Sequence, residues 1–421
     1  MIPIDFKALK NYSIRKFCVL CESKSLKNVL NFGKTPLANS YLSKTNIKEK
    51  KFPLICCLCA NCGHLQLRHL VNPNLLFKNY LYVSSTSKVL VEHFENYFLT
   101  IQKKIKLNKI HDKILDIACN DGTFLNFFVK TGFKNVIGVE PALNLRTLNL
   151  EKKIDINSFF FSFKNSFKLK KKYHSFKVIT ANNVCAHIPD IKNFMLGVKN
   201  ILDPNGLFIF EVSYLKDVIE KLTFDTIYHE HMSYHSLSPL INFFESIGMS
   251  VQDFDLIEAQ GGSIRIYVRH KYKKIYNPKI IKQIKQEKKI GLLGKKLFKK
   301  FYGRINDEKY KIKNFIDFNI LKNNKILIGY GAPAKATTFS HVFNLGKNSI
   351  KYIVDDNPFK QNKFTPGKKI KIISFDNLKK IDFDYIIILA WNFAPSIIKK
   401  LRLTINKKFK IIVPFPKLVI K

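Results

Sequence analysis

The stretch "KILDIACNDGTFL", residues 113–125, sets how the whole chain is read. Ile114, Leu115 and Ile117 around Asp116 make the short apolar run of a strand buried on both faces. Asn120, Asp121 and Gly122 break that run with turn-forming residues, and "GTFLNFFVKTGF" after them reads as a helix. "NVIGVEP" (135–141) then reads as a second strand, closing on Glu140. Strand, turn, helix and strand in that order begin a doubly wound α/β unit.

An acidic residue at the tip of the second strand can accept hydrogen bonds from both ribose hydroxyls of an adenosine. A nicotinamide cofactor would ask for G-x-G-x-x-G in the first turn, and the turn here is Ala118-Cys119-Asn120-Asp121-Gly122. The acidic residue at the strand tip is the arrangement of S-adenosylmethionine (SAM), and a generic strand–turn–helix is the other reading. The expected SAM contacts are Asp116, Asn120, Asp121, Gly122 and Glu140, with Asn183 from the later "ANNVCAHIPD" (181–190).

Outward from this core, "FKVITANNV" and "GLFIFEVS" supply further strands, so that the α/β alternation runs from about 112 to 270. A lysine-rich, helical stretch follows from 271 to about 320. A second α/β unit then opens with "NKILIGYGAPAKATTF" (324–339) and continues through "IKYIVDDNP" (350–358) and "FDYIIILAW" (383–391). Gly329 and Gly331 followed by Asp355 and Asp356 sketch a dinucleotide site, but Ala334 stands where the third glycine belongs. Lys335, at a helix start, is placed to meet a phosphate. The expected organisation is a zinc-binding module over 1–75, a methyltransferase domain over 76–270 with a helical connector at its start, and a helical linker with a C-terminal Rossmann-like domain over 271–421.

The 421 residues carry a formal charge of +41. Lysines are spread along the chain rather than gathered in one stripe, so the charge reads as composition and nucleic acid is not the expected partner. It still favours phosphate-bearing substrates. No run of eighteen apolar residues occurs, and no signal-like core opens the chain, so no membrane span and a cytoplasmic location are expected.

Six of the eight cysteines lie at 18, 21, 56, 57, 59 and 62. "CVLC" and "CANC" present two thiolates each from one tight turn, the pattern of a structural four-thiolate zinc site. Cys18, Cys21, Cys59 and Cys62 are the expected ligands. Cys56 with Cys59 is the competing pair, and Gly63 after Cys62 favours the first choice.

"FDTIYHEHMSYHSL" (224–237) holds His229, Glu230, His231 and His235 between Tyr228 and Tyr234. The H-x-H spacing lacks the helical H-E-x-x-H geometry of a metalloenzyme. An acid/base site and a polar turn are the other readings. Read in order, the cysteine knuckles with "GKTPLANSYL" (33–42), "YLYVSSTS" (80–87), the SAM loop with "ANNVCAHIPD" and "YHEHMSYH", and "GGSIRIYV" (261–268) with "GYGAPAKATTF" and "ILAWNF" resemble one family. It is the SAM-dependent sugar C-methyltransferases that act on nucleotide-linked deoxy-keto sugars. The resemblance spans nearly the whole chain. One departure is visible: the family usually has glycine and serine where Ala118 and Cys119 stand, and a methyl there is expected to loosen SAM binding.

The resemblance implies a chemistry that suits these residues. A sugar carbon becomes a nucleophile only beside a carbonyl, where a base such as histidine can remove its proton. Donors must then hold the enolate oxygen. The resemblance makes His231 the base and Glu230 the residue that orients or anchors the sugar. Tyr228, Tyr82 and His187 fall on other active-site positions of the family. Arg265, in "GGSIRIYV", is a candidate contact to sugar or diphosphate. The implied substrate is a nucleotide-diphosphate 4-keto-deoxysugar, methylated at C3.

Overall fold

The computed structural model describes residues 11–77, 83–258, 261–271 and 277–421. Its centre is a seven-stranded sheet. In spatial order the strands are Met249–Ile257, Ser263–His270, Leu202–Ser213, Phe176–Asn182, Lys113–Ile117, Asn135–Val139 and Asp155–Asn157. All run parallel except Ser263–His270, which is antiparallel to both of its neighbours. Strand order reverses between Lys113–Ile117 and Phe176–Asn182. In such sheets a ligand crevice opens at the carboxyl ends of the strands beside that switch.

The apolar runs of the sequence are explained by two covered faces. Leu115, Ile117, Ile137 and Ile179 pack on one side with Phe194, Met195 and Val198 of the helix Ile191–Ile201. Ile114, Val136 and Val178 pack on the other with Tyr97, Phe98, Phe124 and Phe128. The expected connector is the helix Lys88–Lys104, which contributes Tyr97 and Phe98 to that second face.

The C-terminal sheet repeats this plan. Lys371–Ile373, Tyr352–Val354, Leu327–Tyr330, Tyr385–Ile388 and Lys410–Val413 lie parallel in that order, with Val419–Ile420 antiparallel at the edge. The helices Pro278–Lys289 and Lys295–Asn319 occupy the lysine-rich stretch.

The N-terminal segment forms a four-stranded sheet from Leu26–Pro36, Lys51–Cys59 and Leu65–Leu67, completed by Ser233–Tyr234. The module therefore borrows a strand from inside "YHEHMSYH". Its apolar residues Leu30, Phe32, Leu54 and Leu58 share one core with Phe224, Ile227 and Tyr234 and with Phe339, Phe343 and Phe415 of the C-terminal unit. No helix among the described residues is long and apolar enough to cross a membrane.

Candidate active site

The first loop of the central sheet is built from left-handed backbone. Ala118, Asn120 and Gly122 have φ of 57°, 54° and 72°. Gly122 is the one of the three that also needs to be small, since a Cβ there would lie 2.4 Å from Ile154 Cδ1 and 2.5 Å from Asn149 Oδ1. Glu140 closes the loop. Its Oε2 accepts from the Asn120 N–H at 3.0 Å and its Oε1 from the Ala142 N–H at 2.9 Å. Each oxygen keeps a lone pair for a ribose hydroxyl.

Asp116 is 3% exposed and accepts from the Thr180 hydroxyl at 2.6 Å. Burial pushes its carboxyl up to about 7. Asp121 accepts from the Thr123 hydroxyl at 2.8 Å and from the Ser85 N–H at 3.2 Å, while the Ser84 N–H donates to Asn120 Oδ1 at 2.9 Å. The turn at the start of the connector helix thus clamps the loop. Asn149 supports it from below, donating to the Asn120 carbonyl at 2.7 Å. The buried carboxylates and the glycine-requiring turn form a cradle that fits SAM. Asn183, with φ of 56°, lies just past the end of the Phe176–Asn182 strand, and its N–H donates to the Glu211 carbonyl at 2.8 Å.

Ala118 holds a left-handed backbone conformation in which a glycine would sit without strain. Its N–H donates to the Val139 carbonyl at 2.7 Å while its φ lies in the region that favours glycine. Cys119 turns into the core, where a Cβ on Gly138 would meet its Sγ at 2.6 Å.

At the same end of the sheet, the Met232 N–H donates to the Ala186 carbonyl at 2.7 Å and ties "YHEHMSYH" to "NNVCAHI". The His187 and His231 rings meet edge to face, with centroids 4.9 Å apart. His231 Nδ1 lies 2.8 Å from the Thr226 carbonyl oxygen. A carbonyl only accepts, so Nδ1 carries the proton and Nε2 carries the lone pair. The Tyr228 hydroxyl sits 2.9 Å from Nε2 and donates to it. Burial, then the neighbouring His187, pushes the His231 imidazole down to about 3. It is neutral at physiological pH, which is the form a base requires.

Glu230 is 4% exposed, and its Oε1 accepts from the Asn39 side chain at 2.7 Å. Burial pushes its carboxyl up to about 7, and the Asn39 hydrogen bond opposes the rise. His229 and His235 are occupied elsewhere. Their Nε2 atoms face the carbonyls of Phe52 and Cys185, each at 3.3 Å. His231 is therefore separated in role from its two sequence neighbours.

Tyr82 lies outside the described residues. Arg265 makes its contacts away from the histidine pair. It sits opposite Glu211 in register, donates to Glu211 Oε2 through Nε at 3.1 Å and Nη2 at 2.9 Å, and lies over the Tyr97 ring at 3.7 Å. His93 meets the other Glu211 oxygen at 2.8 Å. Lys335 lies over the Trp391 ring at 4.1 Å and donates to Asn392 at 2.6 Å. The Trp391 N–H in turn donates to Asp225 at 2.7 Å, at the start of the histidine segment. Burial pushes the Lys335 ammonium down to about 8, against the pull of Asp225.

The sulfur atoms of Cys18, Cys21, Cys59 and Cys62 all lie within 4.8 Å of one another, with Cys18–Cys62 at 3.6 Å and Cys21–Cys59 at 3.5 Å. A tetrahedral zinc with sulfurs at about 2.3 Å needs sulfur–sulfur edges of ~3.8 Å, so the set fits. Each knuckle closes with a left-handed residue, Glu22 at φ 59° and Gly63 at φ 76°. Cys56 is fully buried among apolar residues and takes no part, so the competing pair is excluded. Among the described residues this is the group of His, Cys, Asp or Glu side chains able to hold a metal ion.

The thiolate cluster, the two mostly parallel sheets and the SAM cradle beside a neutral imidazole define a zinc-bearing, SAM-dependent methyltransferase. Three family models cover the chain in sequence: a zinc binding domain over 18–77, a methyltransferase domain over 91–253 and a C-methyltransferase C-terminal domain over 258–416. The C-methyltransferase NovU of Streptomyces niveus is 30% identical over 406 residues, 95% of each chain, and the protein belongs to this C-methyltransferase family.

Among solved structures, the PH0226 protein of Pyrococcus horikoshii is 14% identical and matches 46% of this chain and 98% of its own, at a TM-score of 0.35. A SAM-dependent methyltransferase of Anabaena variabilis is 12% identical, with 42% and 84% covered, at 0.33. At those scores they add nothing to what the relative shows.

The sequence reading passed over Asn39, Thr180 and Asn149, which hold Glu230, Asp116 and the Asn120 turn. "GKTPLANSYL" was the available signal for Asn39, since it belongs to the family pattern without being a metal ligand.

Proposed function

We propose that the enzyme methylates the carbon beside the ketone, C3, of a nucleotide-diphosphate 4-keto-deoxysugar. The observation that carries this reading is the fixed tautomer of His231. The Thr226 carbonyl holds the proton on Nδ1 and supports the positive charge that Nε2 acquires on taking a proton. When the sugar enters, the Tyr228 hydroxyl turns from Nε2 to the ketone oxygen. That frees the lone pair to take the C–H proton and places a donor on the forming enolate. With SAM bound, the enolate carbon would take its methyl group as the methyl–sulfur bond breaks, the electron pair leaving on the sulfur of S-adenosylhomocysteine and the ketone re-forming. His187 and Tyr82 join in holding the sugar, Glu230 accepts from a sugar hydroxyl, and Lys335 meets the diphosphate. Asp116, Asn120, Asp121, Gly122, Glu140 and Asn183 hold SAM.

The test is incubation in D₂O with a panel of nucleotide-linked 4-keto-6-deoxysugars, with and without SAM. Deuterium uptake at C3 without SAM and methyl gain at C3 with it are expected. Uptake at C5 moves the reaction to the other flank of the ketone. No uptake with any sugar of the panel refutes the enolate reading.

A further inference from the structure

Glu230 is buried beside the proposed base, and the partner of its Oε1 comes from 191 residues earlier in the chain. That partner, Asn39, follows the Leu26–Pro36 strand of the zinc-binding module. Its segment is fixed from the C-terminal unit. The Thr337 hydroxyl donates to the Ala38 carbonyl at 3.1 Å, and the Tyr41 hydroxyl donates to the Ala332 carbonyl at 2.5 Å. Leu42 and Phe364 exchange backbone hydrogen bonds of 2.9 and 2.8 Å.

The same helix also reaches the other partner. The Thr338 hydroxyl donates to the Ile227 carbonyl at 2.8 Å, three residues before Glu230. Two adjacent threonines of Ala334–Val342 therefore pin both sides of one hydrogen bond, Asn39 to Glu230.

We propose that Asn39 is a positioning residue for methyl transfer: its amide fixes Glu230 Oε1 and leaves Oε2 to accept from a sugar hydroxyl. The zinc-binding module thereby contributes to the sugar site. This rests on the reading of Glu230 as the sugar-anchoring residue. An amide N–H favours the ionised carboxylate, which can only accept, over the acid, which would donate to the sugar. Burial works the other way. The titratable groups facing Glu230 are the Tyr41 phenol, pushed up by burial first, then by Asp355 and then by Glu230, and His187, whose ring hydrogen-bonds to the Glu230 backbone. Tyr228 and His231 adjoin it in the chain.

The test uses the full chain with zinc bound and glutamate labelled with ¹³C at the side-chain carboxyl. The Glu230 signal is identified by its loss in Glu230→Gln. In Asn39→Ala its titration midpoint is expected to rise by about one pH unit or more, the effect of losing a hydrogen bond to a charged group. Asn39→Asp, of equal size, is expected to raise it further, because a like charge replaces a donor. With dTDP-4-keto-6-deoxyglucose as probe, kcat/KM at neutral pH is expected to fall roughly 10-fold in Asn39→Ala. Its acidic limb moves up with the carboxyl, so activity recovers at higher pH, and SAM affinity and zinc content stay unchanged.

An unmoved Glu230 midpoint in Asn39→Ala overturns the proposal, and if that variant does not fold, an unmoved midpoint in Asn39→Asp does so. If the wild-type chain leaves the probe and the sugar panel untouched, the sugar reading fails, while the midpoint still decides whether Asn39 sets the state of Glu230.

Discussion

Glu140 and Asp355 occupy the same place in two different sheets. Each closes the strand next to the first, and each accepts one N–H from two residues onward and one from the neighbouring loop. For Glu140 the donors are Ala142 and Asn120, at 2.9 and 3.0 Å. For Asp355 they are Asn357 and Ala332, at 2.9 and 2.6 Å. What differs is the space in front. Lys360 lies 3.6 Å from Asp355 and donates to the Ala332 carbonyl at 2.9 Å, and the Tyr41 hydroxyl takes the same carbonyl. Glu140→Ala is expected to weaken SAM binding by about tenfold or more, the loss of charge-assisted hydrogen bonds. Asp355→Asn is expected to leave it unchanged. Calorimetric titration with SAM checks both.

His231→Ala removes the lone pair at Nε2. Deuterium uptake and methyl transfer are expected to fall by roughly 10² to 10⁴-fold, while calorimetric SAM affinity holds, since the SAM cradle is built from other residues. Retained deuterium uptake in the variant would move the base to Tyr228 or His187.

The cysteine assignment predicts a sharp contrast. Cys59→Ser removes a ligand and is expected to lose the zinc and the N-terminal module's cooperative unfolding. Cys56→Ser puts a hydroxyl in an apolar core, with an expected destabilisation of about 1–3 kcal/mol, and retains one zinc per chain. Metal analysis and thermal melts separate the two.

Ala118 holds a backbone conformation that costs an L-residue about 1–2 kcal/mol. Ala118→Gly relieves that strain and gives back roughly 0.5–1 kcal/mol in unfolded-chain entropy. A net gain of about 0–1.5 kcal/mol is expected in denaturant melts, with SAM binding equal or tighter. A loss of stability would show that the Ala118 methyl packs favourably.

Acid is expected to destabilise the fold. Burial pushes His187, His229 and His235 down to about 4 and His231 to about 3. The stability linked to these four is present above pH 6.5. It is lost as pH falls, because the unfolded chain takes up their protons first. Asp116 and Glu230, pushed up to about 7, act in the opposite sense, because below that pH the folded chain already holds their protons. His64, His69 and His341, pushed down chiefly by burial, side with the four histidines, and Glu140 and Asp225, pushed up by burial, side with the two carboxyls. The histidines outnumber the carboxyls, so stability is expected to fall as pH drops from about 6.5 toward 4.5, measurable by urea melts across that window.

The central sheet was legible because strands covered on both faces must be apolar throughout, and Ile114 to Ile117 satisfy both faces at once. The knuckles were legible because two sulfurs on one tight turn are a local pattern. Arg265 was not. A charge in a strand reads as a ligand contact, and its partner Glu211 is 54 residues away, brought opposite only by sheet register. Ala118 announced a departure, and the left-handed φ that makes the alanine strained there belongs to the folded backbone. Asn39 stood in a stretch that the resemblance singled out, "GKTPLANSYL", yet its role did not show, because its chemistry begins where three separate stretches of chain meet.

The hydrogen bond from Thr337 to Ala38 spans 299 residues. At a ribosome's pace of about 5–20 residues per second, Ala38 is made roughly 15 to 60 seconds before its partner. The four cysteines have all been made early in that interval, whereas the Asn39 segment beside them, though Leu37 packs on Phe52 and Leu70, still lacks Glu230 and Thr337. Birth order therefore separates the four metal ligands, all made by residue 62, from the Asn39–Glu230 contact, whose threonine supports, Thr337 and Thr338, are made last.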